Sequence, residues 1–584
     1  MKTIYQMAKT LVFVGLFLCM LAYLVQGYAF IDANSQTFDE AAYIAAGYSY
    51  ITRGDFRLDI EHPPLSKELT GLAIWVRLRP PFDPKPELWE SADEWTIGRD
   101  FLYRSPVPAD DILRVSRLPN LLLGAVLVGL VGWWTYRLWG AWPALFAAGL
   151  AAFDPNLIAH GGLATNDLTI ALFLFLTIYL FWEYQRRPSP RGLLAVGIAA
   201  GLSLATKFTG ILVFVILGVL FLIPLLAKKR ADAGENAQEK SDFGNQLRQV
   251  LPPFCRIVLI ALVVVIVLYC GYGFPAWAQG FKYQLARAEA GDPHFYFWGE
   301  ITSRGSLAYF PVAFLIKTPV GTLLMIVASL IPWPGASRLD LRTAAFLLVP
   351  AAVYFAAMAA TRINLGLRYL LPIYPFLFVL AGRMGTVRFG SSLATVLGRV
   401  GCLAAVGLTA ASSLMIAPHQ LAYFNELIGG PAQGHRYLSD SNLDWGQDLK
   451  GLKAFMDRER IPTIYLSYFG TAAPAGWGIR YQFLPGWVEN MQDPNLQERV
   501  PQNGRQILAI SIVNLQGIYF DEKRDRYRWL ESRTPLTTIG HSIYIYDLTN
   551  DADAHARLAE IYEESGFQEM ADLERSKARG VVSK

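Results

Sequence analysis

The stretch LVFVGLFLCMLAYLVQGYAFI, Leu11 to Ile31, followed within a few residues by Thr37-Phe38-Asp39-Glu40, decides how the chain is read. An apolar run of about 20 residues is what a helix needs to cross the hydrocarbon of a bilayer. Lys2 and Lys9 precede this one, and it is longer than the apolar region of a secretory signal, so an uncleaved first helix is expected. Gly27-x-Ala29 leaves a cleavage site as the alternative. Comparable runs recur near 113–138, 141–154, 168–184, 192–206, 209–227, 254–274, 311–333, 343–360, 369–382 and 393–416, which makes about eleven transmembrane helices. The expected fold is mainly α, a polytopic membrane helical bundle.

Composition agrees with that reading. Of 584 residues, 53% are hydrophobic and only 17% charged, against roughly 25% charged in a soluble domain. The 52 basic and 48 acidic residues leave a net charge of +4, too even a balance for a nucleic-acid binder. Cys19, Cys255, Cys270 and Cys402 all fall in apolar runs, which excludes a disulfide framework, a redox pair and a cysteine zinc site.

Basic residues in the short connections set the orientation. Lys2, Lys9, Arg137, Arg186-Arg187, Arg191, Lys228-Lys229-Arg230, Arg338, Arg342, Arg383 and Arg388 fall on one side, the cytoplasmic one by the positive-inside rule. The expected organisation is a membrane domain over 1–417, with external loops at 32–112 and 275–310 and a cytoplasmic linker at 228–253. The linker reads as disordered because it is polar and charged with few apolar residues. After Pro418, short β-rich runs at Thr463–Tyr468, Gln506–Val513 and Ser542–Tyr546 alternate with helical segments. Residues 418–584 are therefore read as an external soluble α/β domain ending in a helical hairpin, Asp553–Ser565 and Gln568–Arg579. The protein is expected to be integral and multi-pass, in a bacterial inner (plasma) membrane, with the N-terminus cytoplasmic and the C-terminal domain periplasmic.

Chemistry should sit on the external side. Asp39 and Glu40 open the first external loop, which continues through Asp55, Asp59, Glu61 and His62-Pro63-Pro64-Leu65-Ser66-Lys67. A carboxylate kept partly dry beside a membrane gains basicity and can take a proton from a hydroxyl. The competing explanation is that Asp39 and Glu40 favour the N-terminus of an interfacial helix over Glu40–Thr52. Asp154 and the pair Asn166-Asp167 follow in the second external connection, where helix capping is again the alternative. Lys207, Lys317, Arg362 and Arg368 are cations on the side that the positive-inside rule disfavours, so each needs a counter-charge. A lipid phosphate is one candidate, and pairing with Asp154 or Asp167 is the other. His294 and Trp298 lie in an aromatic stretch that suits sugar rings or a membrane interface alike. Asp440 to Asp448 reads first as a helix N-cap and second as a carbohydrate contact.

Taken together, Phe38-Asp39-Glu40, His62-Pro63-Pro64-Leu65-Ser66-Lys67, Asp167 and Gly366-Leu367-Arg368-Tyr369-Leu370-Leu371-Pro372-Ile373-Tyr374-Pro375 resemble the motifs of the polyprenyl-phosphate-dependent glycosyltransferases of the GT-C fold. The resemblance is to the protein O-mannosyltransferase and aminoarabinose transferase superfamily. Ser66 stands where that family's HPPLGK segment has glycine. The resemblance implies inverting transfer of a sugar, mannose in many members, from a polyprenyl-phosphate donor to an acceptor hydroxyl. The acceptor class, protein, lipid or glycan, stays open.

In that reading Asp39, Glu40 and Asp167 are the catalytic carboxylates, with Asp39 the base. Lys207, Lys317, Arg362 and Arg368 hold the donor phosphate, while His62, Lys67, Asp154, His294 and Trp298 contact substrate. A divalent cation between the carboxylates is left open. The partners implied are the lipid-phosphate sugar, the acceptor and membrane lipids, and no nucleic acid. Two other classes compete: a secondary transporter with an intramembrane Asp relay, against which no inverted repeat is visible, and a non-catalytic membrane scaffold.

Overall fold

The computed structural model describes residues 2–232, 243–268, 273–291, 294–333, 335–388, 391–486, 498–520 and 523–582. The chain is mainly helical. Among the described residues six helices are long and apolar enough to cross a membrane: Val12–Ala33, Ala109–Trp139, Asp167–Arg186, Leu341–Ala359, Leu367–Thr386 and Ser392–Ile416. Tyr309–Lys317 and Val320–Leu330 are long and apolar enough only when taken together, and the pair is bent by 110°. The bend falls at Thr318-Pro319, because proline forces the residue before it out of helical geometry and cannot donate to the preceding turn. Thr318 accordingly sits at φ −90°, ψ 131°. Ala141–Ala152 and Pro190–Thr206 are shorter apolar helices, below the ~20 residues of a full span, whereas Leu212–Asp232 and Phe243–Leu268 run 21 and 26 residues. Every apolar run of the sequence thus meets a helix.

Several segments differ from their expected form. The stretch 32–112 is largely a helical layer, with helices Glu40–Arg53, Leu65–Arg77 and Glu94–Tyr103. No span-length run marks them, so a hydropathy reading passes over all but the first. Glu40–Arg53 and Leu65–Arg77 cross backbone to backbone at two glycines. A Cβ on Gly47 would lie 2.0 Å from the Lys67 carbonyl, and one on Gly71 would lie 2.1 Å from the Gly47 carbonyl. The stretch 275–310 is the helix Gly273–Ala290 followed by an antiparallel hairpin, β1 (Phe295–Phe297) and β2 (Glu300–Thr302). In the expected linker 228–253, helices continue to Asp232 and resume at Phe243; residues 233–242 lie outside the described residues.

Beyond 418 a five-stranded sheet forms from β3 (Ile464–Ser467), β4 (Tyr481–Phe483), β5 (Ile507–Ser511), β6 (Thr537–Ile539) and β7 (Ile543–Asp547), in the order β4-β3-β5-β7-β6. β3 runs parallel to β4 and β5, while β7 is antiparallel to β5 and β6. Every residue of β5 is buried, as a central strand covered on both faces requires. Helices Ala552–Glu564 and Gln568–Val582 form the closing hairpin.

The two halves meet at residues 34–40, and one ion pair fixes that crossing. Arg117, buried in helix Ala109–Trp139, grips Glu40 with two parallel bonds, Nε to Oε1 at 2.8 Å and Nη2 to Oε2 at 2.7 Å. Its remaining protons go to the carbonyls of Ile31, Asn34 and Ser35. Glu40 in turn accepts from the backbone N–H groups of Thr37 and Ala164 and from the Thr37 hydroxyl.

Removing one partner of such a pair strands a buried charge. Arg117→Met is expected to cost about 3–5 kcal/mol, read as a lowered melting temperature in detergent. Pairing it with Glu40→Met should recover part of that loss. A double variant no more stable than either single one would refute the coupling.

Candidate active site

Asp39 precedes the first turn of helix Glu40–Arg53, yet its side chain makes no capping bond there. It turns instead into a cavity of about 390 Å³ and meets Arg368, whose Nη1 lies 3.3 Å from its Oδ2. Adjacent residues at a helix start point about 100° apart. Once Arg117 draws Glu40 inward, Asp39 is left facing the cavity.

Arg368 sits on the 3₁₀ turn Leu367–Ile373, anchored where the Leu367 N–H donates to Asn442 Oδ1 at 2.9 Å. Its guanidinium lies 4.3 Å from the ring centre of Trp445, a cation–π contact that fixes its plane. Behind it Asp167 stands 3.8 Å away and accepts a 2.6 Å bond from Lys207 Nζ. The order Asp39, Arg368, Asp167, Lys207 is therefore an alternating row of charges running from the cavity into the helix bundle.

The opposite wall is acidic. Asp59, Glu61 and Glu94 line it with His62. Burial raises the Asp39 and Asp59 carboxyls above the usual aspartate range, against the pull of Arg368 and Lys67 respectively. Glu94 is pushed up to about 7 by burial and by the neighbouring Asp59. Burial, then the positive charges of Lys207 and Lys67, holds His62 well below its ordinary value, so its ring is neutral. His62 Nδ1 has no hydrogen-bond partner among the described residues.

The structure brings together some of the residues singled out in the sequence and separates others. Asp39, His62, His294 and Arg368 line the cavity. Asp167 and Lys207 lie one layer behind, because each is spent on the other. Glu40 does not reach the cavity, being saturated by Arg117. Lys67 is buried on Asp59, bonded to its backbone carbonyl at 2.6 Å and to its carboxylate at 3.1 Å. Lys317 donates to the carbonyls of Leu421 and Asn442 and lies 4.6 Å from the Phe424 ring centre, away from the cavity. Asp154 caps the short helix Pro155–Gly161 through the N–H groups of Asn156 and Leu157. Arg362 is exposed, and its Nη1 donates to the Glu289 carbonyl at 3.4 Å. Trp298, 59% exposed, packs edge-on to Tyr437 and is not part of the lining.

The capping explanations fare unevenly. Neither Asn166 nor Asp448 makes a side-chain cap; Asp448 is held by Gln447 and Ser542 instead. Among the described residues no three His, Cys, Asp or Glu side chains converge so as to hold a metal ion.

Several lining residues escaped the sequence reading. Arg287, which pairs with Glu61, could have been found by applying the charge-asymmetry rule to 275–310 as it was applied to Lys317. Phe469 and Tyr519 come from the segment after 418, and nothing local in their surroundings distinguishes them from ordinary core aromatics; Trp445 lies in the run Asp440–Asp448, read second as a carbohydrate contact.

Residues 16–276 match the family model described as dolichyl-phosphate-mannose-protein mannosyltransferase. The dolichyl-phosphate-mannose–protein mannosyltransferase 1 of Saccharomyces cerevisiae is 28% identical over 195 residues, 32% of this chain and 22% of the relative. The chain thus spans about a fifth of the length of that curated relative. Among solved structures, ArnT from Cupriavidus metallidurans in the apo state aligns over 92% of this chain and 98% of its own, with 14% identity and a TM-score of 0.49. The same protein bound to undecaprenyl phosphate gives the same coverage and TM-score at 13% identity. The S. cerevisiae protein O-mannosyltransferase Pmt1-Pmt2 complex bound to the sugar donor aligns over 46% of this chain and 34% of that chain, at 21% identity and a TM-score of 0.33. The stretch that resembles this family model, residues 16–276, carries Asp39, Glu40, His62, Arg117, Asp167 and Lys207.

Proposed function

We propose that the protein is an integral-membrane glycosyltransferase that moves a sugar from a polyprenyl-phosphate donor to an acceptor hydroxyl on the external face, with inversion. The observation that carries this reading is the meeting of Asp39 and Arg368 at 3.3 Å on one cavity wall. A proton acceptor and a phosphate-binding cation thus meet in one cavity, and the displacement opens the pair so that the sugar lies between them, the acceptor on the Asp39 side and the phosphate on the Arg368 side. The family match of residues 16–276 supports it, and because that family's description and the yeast relative both name mannose, mannose is the donor sugar to test first.

In the step itself the acceptor oxygen attacks the anomeric carbon and the bond from that carbon to the phosphate oxygen breaks. The electron pair leaves with the phosphate, which Arg368 stabilises, and the hydroxyl proton passes to Asp39. Asp167 and Lys207 hold Arg368 in place, and Glu40 holds the loop that carries Asp39. Both are positioning groups.

Asp39→Asn keeps size and most hydrogen bonding but cannot accept the proton. Single-turnover transfer from polyprenyl-phosphate mannose should fall on the order of 10²–10⁴-fold, with an unchanged melting temperature. Near-normal turnover would sink the mechanism.

Because Asp39 must be ionised to act and its folded-state value is raised by burial, transfer should be lost on acidification at a higher pH than an ordinary aspartate would give. A pH profile with its acid limb within the ordinary aspartate range would contradict the burial.

Arg368→Ala should weaken binding of undecaprenyl phosphate, since a charge-assisted bond beside a low-dielectric boundary is lost. Unchanged affinity would take Arg368 out of the phosphate site. The external placement rests on the charge asymmetry of the connections. With the native cysteines replaced, a cysteine at Asn550 should label from outside and one at Asn236 should not, and the reverse pattern would put the cavity on the cytoplasmic side.

A further inference from the structure

The proposed chemistry uses Asp39 and Arg368 but leaves one wall of the cavity without a task, and half of that wall comes from residues after 418. Phe469 and Tyr519 stack nearly parallel, with ring centres 5.2 Å apart and planes 7° apart. Phe38 stacks on Phe469 at 5.3 Å, Trp95 meets Phe38 edge-on at 5.5 Å, and His294 lies 5.6 Å from Tyr519. These five rings form one continuous row along the cavity. At its end Asp440 accepts the Tyr519 hydroxyl and the Ser441 N–H. Asp440 holds φ at 55°, a left-handed conformation that a non-glycine residue keeps only where its surroundings enforce it.

The wall is fastened to the loop that bears Asp39. Thr471 donates to the Phe38 carbonyl at 2.6 Å and accepts from Gln36 at 2.7 Å, and the Phe38 N–H donates to the Trp445 carbonyl at 2.9 Å. The aromatic row therefore stands at a fixed distance from the base.

An aromatic face is negative at its centre and attracts polarised C–H bonds, such as those on one face of a pyranose ring. A carboxylate accepts hydrogen bonds and donates none, which suits the hydroxyls at the ring's edge. Pockets that combine an apolar aromatic lining with a few placed polar groups are the usual form of small-ligand sites. Charge narrows the class further. Asp39, Asp59, Glu61, Glu94 and Asp440 line the cavity, while its two guanidinium groups, Arg287 and Arg368, already face Glu61 and Asp39. Beside the Asp440 carboxylate an anionic substituent would meet repulsion, which favours a neutral ring at that end of the cavity.

We propose that Asp440 and Tyr519, the latter backed by the buried Phe469, form a pyranose subsite that takes an uncharged sugar ring against the open side of Tyr519 and by hydroxyl donation to Asp440. This deepens the glycosyltransferase reading and rests on it. The ring belongs either to the donor or to the acceptor, and the test separates the two.

The experiment uses the full-length protein in detergent and saturation-transfer NMR. The probes are methyl α-D-mannopyranoside and methyl α-D-glucopyranoside, with methyl glucuronide as the anionic comparison. Wild type should bind at least one neutral pyranoside and not the glucuronide. Phe469→Leu, Tyr519→Leu and Asp440→Asn should each weaken that binding tenfold or more, while undecaprenyl phosphate, measured on the same proteins, binds within about twofold of wild type. Leucine keeps an apolar side chain in the wall, and the asparagine variant provides a test that does not disturb the stack.

Displacement of the methyl mannoside by polyprenyl-phosphate mannose would assign the subsite to the donor's ring, and simultaneous binding would assign it to the acceptor's. Equal pyranoside binding by wild type and all three variants would overturn the proposal. So would absence of pyranoside binding from a wild type that binds undecaprenyl phosphate. Pyranoside binding without any lipid-phosphate binding would instead overturn the glycosyltransferase reading and leave the sugar wall standing.

Discussion

The buried pair between Arg117 and Glu40 is the constraint on which the rest of the site depends. Two charges taken out of water are costly, and the cost is met only where geometry and additional hydrogen bonds are complete. Here they are: the guanidinium reaches three backbone carbonyls besides the carboxylate, and the carboxylate accepts from two backbone N–H groups and a hydroxyl besides the guanidinium. The three carbonyls belong to residues 31–35, so the pair fixes how the chain leaves the first helix. It thereby fixes the direction in which the next carboxylate, Asp39, points.

The same few residues tie the C-terminal domain to the helix bundle. The Ser35 N–H donates to the Gln447 carbonyl at 2.8 Å, and Asn34 Nδ2 donates to the Pro418 carbonyl at 3.1 Å. The Leu449 N–H donates to Ser35 Oγ at 3.1 Å. The segment Asp440–Asp448 is thus neither a plain helix cap nor a peripheral loop. It carries Trp445 onto Arg368 and Asn442 onto the turn that presents Arg368. The cavity has walls from both halves of the chain because the loop that bears the base is shared between them.

Much of the architecture was legible in the sequence, for reasons that can be stated residue by residue. Apolar length locates the helices, and β-rich runs locate β3, β5 and β7. The three-residue strands β4 and β6 carry too little pattern to be seen. The charge rule marked Lys207, Lys317, Arg362 and Arg368 as cations out of place; three are buried and paired or bonded to carbonyls, while Arg362 is exposed. Which of them faces a ligand is decided by tertiary contacts: Lys207 is taken up by Asp167 and Lys317 by two carbonyls, which leaves Arg368 at the cavity. Asp39 and Glu40 are indistinguishable as neighbours in a sequence. Arg117, 77 residues further on, separates them. Phe469 and Tyr519 acquire their meaning only where the chain folds back on Phe38.

The contact between Asp39 and Arg368 has a kinetic consequence. One guanidinium serves two anions that would be present in turn, so a phosphate arriving at Arg368 competes with Asp39 for it. Until then the positive charge beside Asp39 opposes the burial that raises its basicity. Once the phosphate draws that charge away, Asp39 becomes a stronger base. In the transfer proposed above, the lipid-linked donor would arm Asp39 by binding, and donor would then have to precede acceptor. Water or a hydroxyl reaching the cavity ahead of the donor would meet a carboxylate still neutralised by its partner.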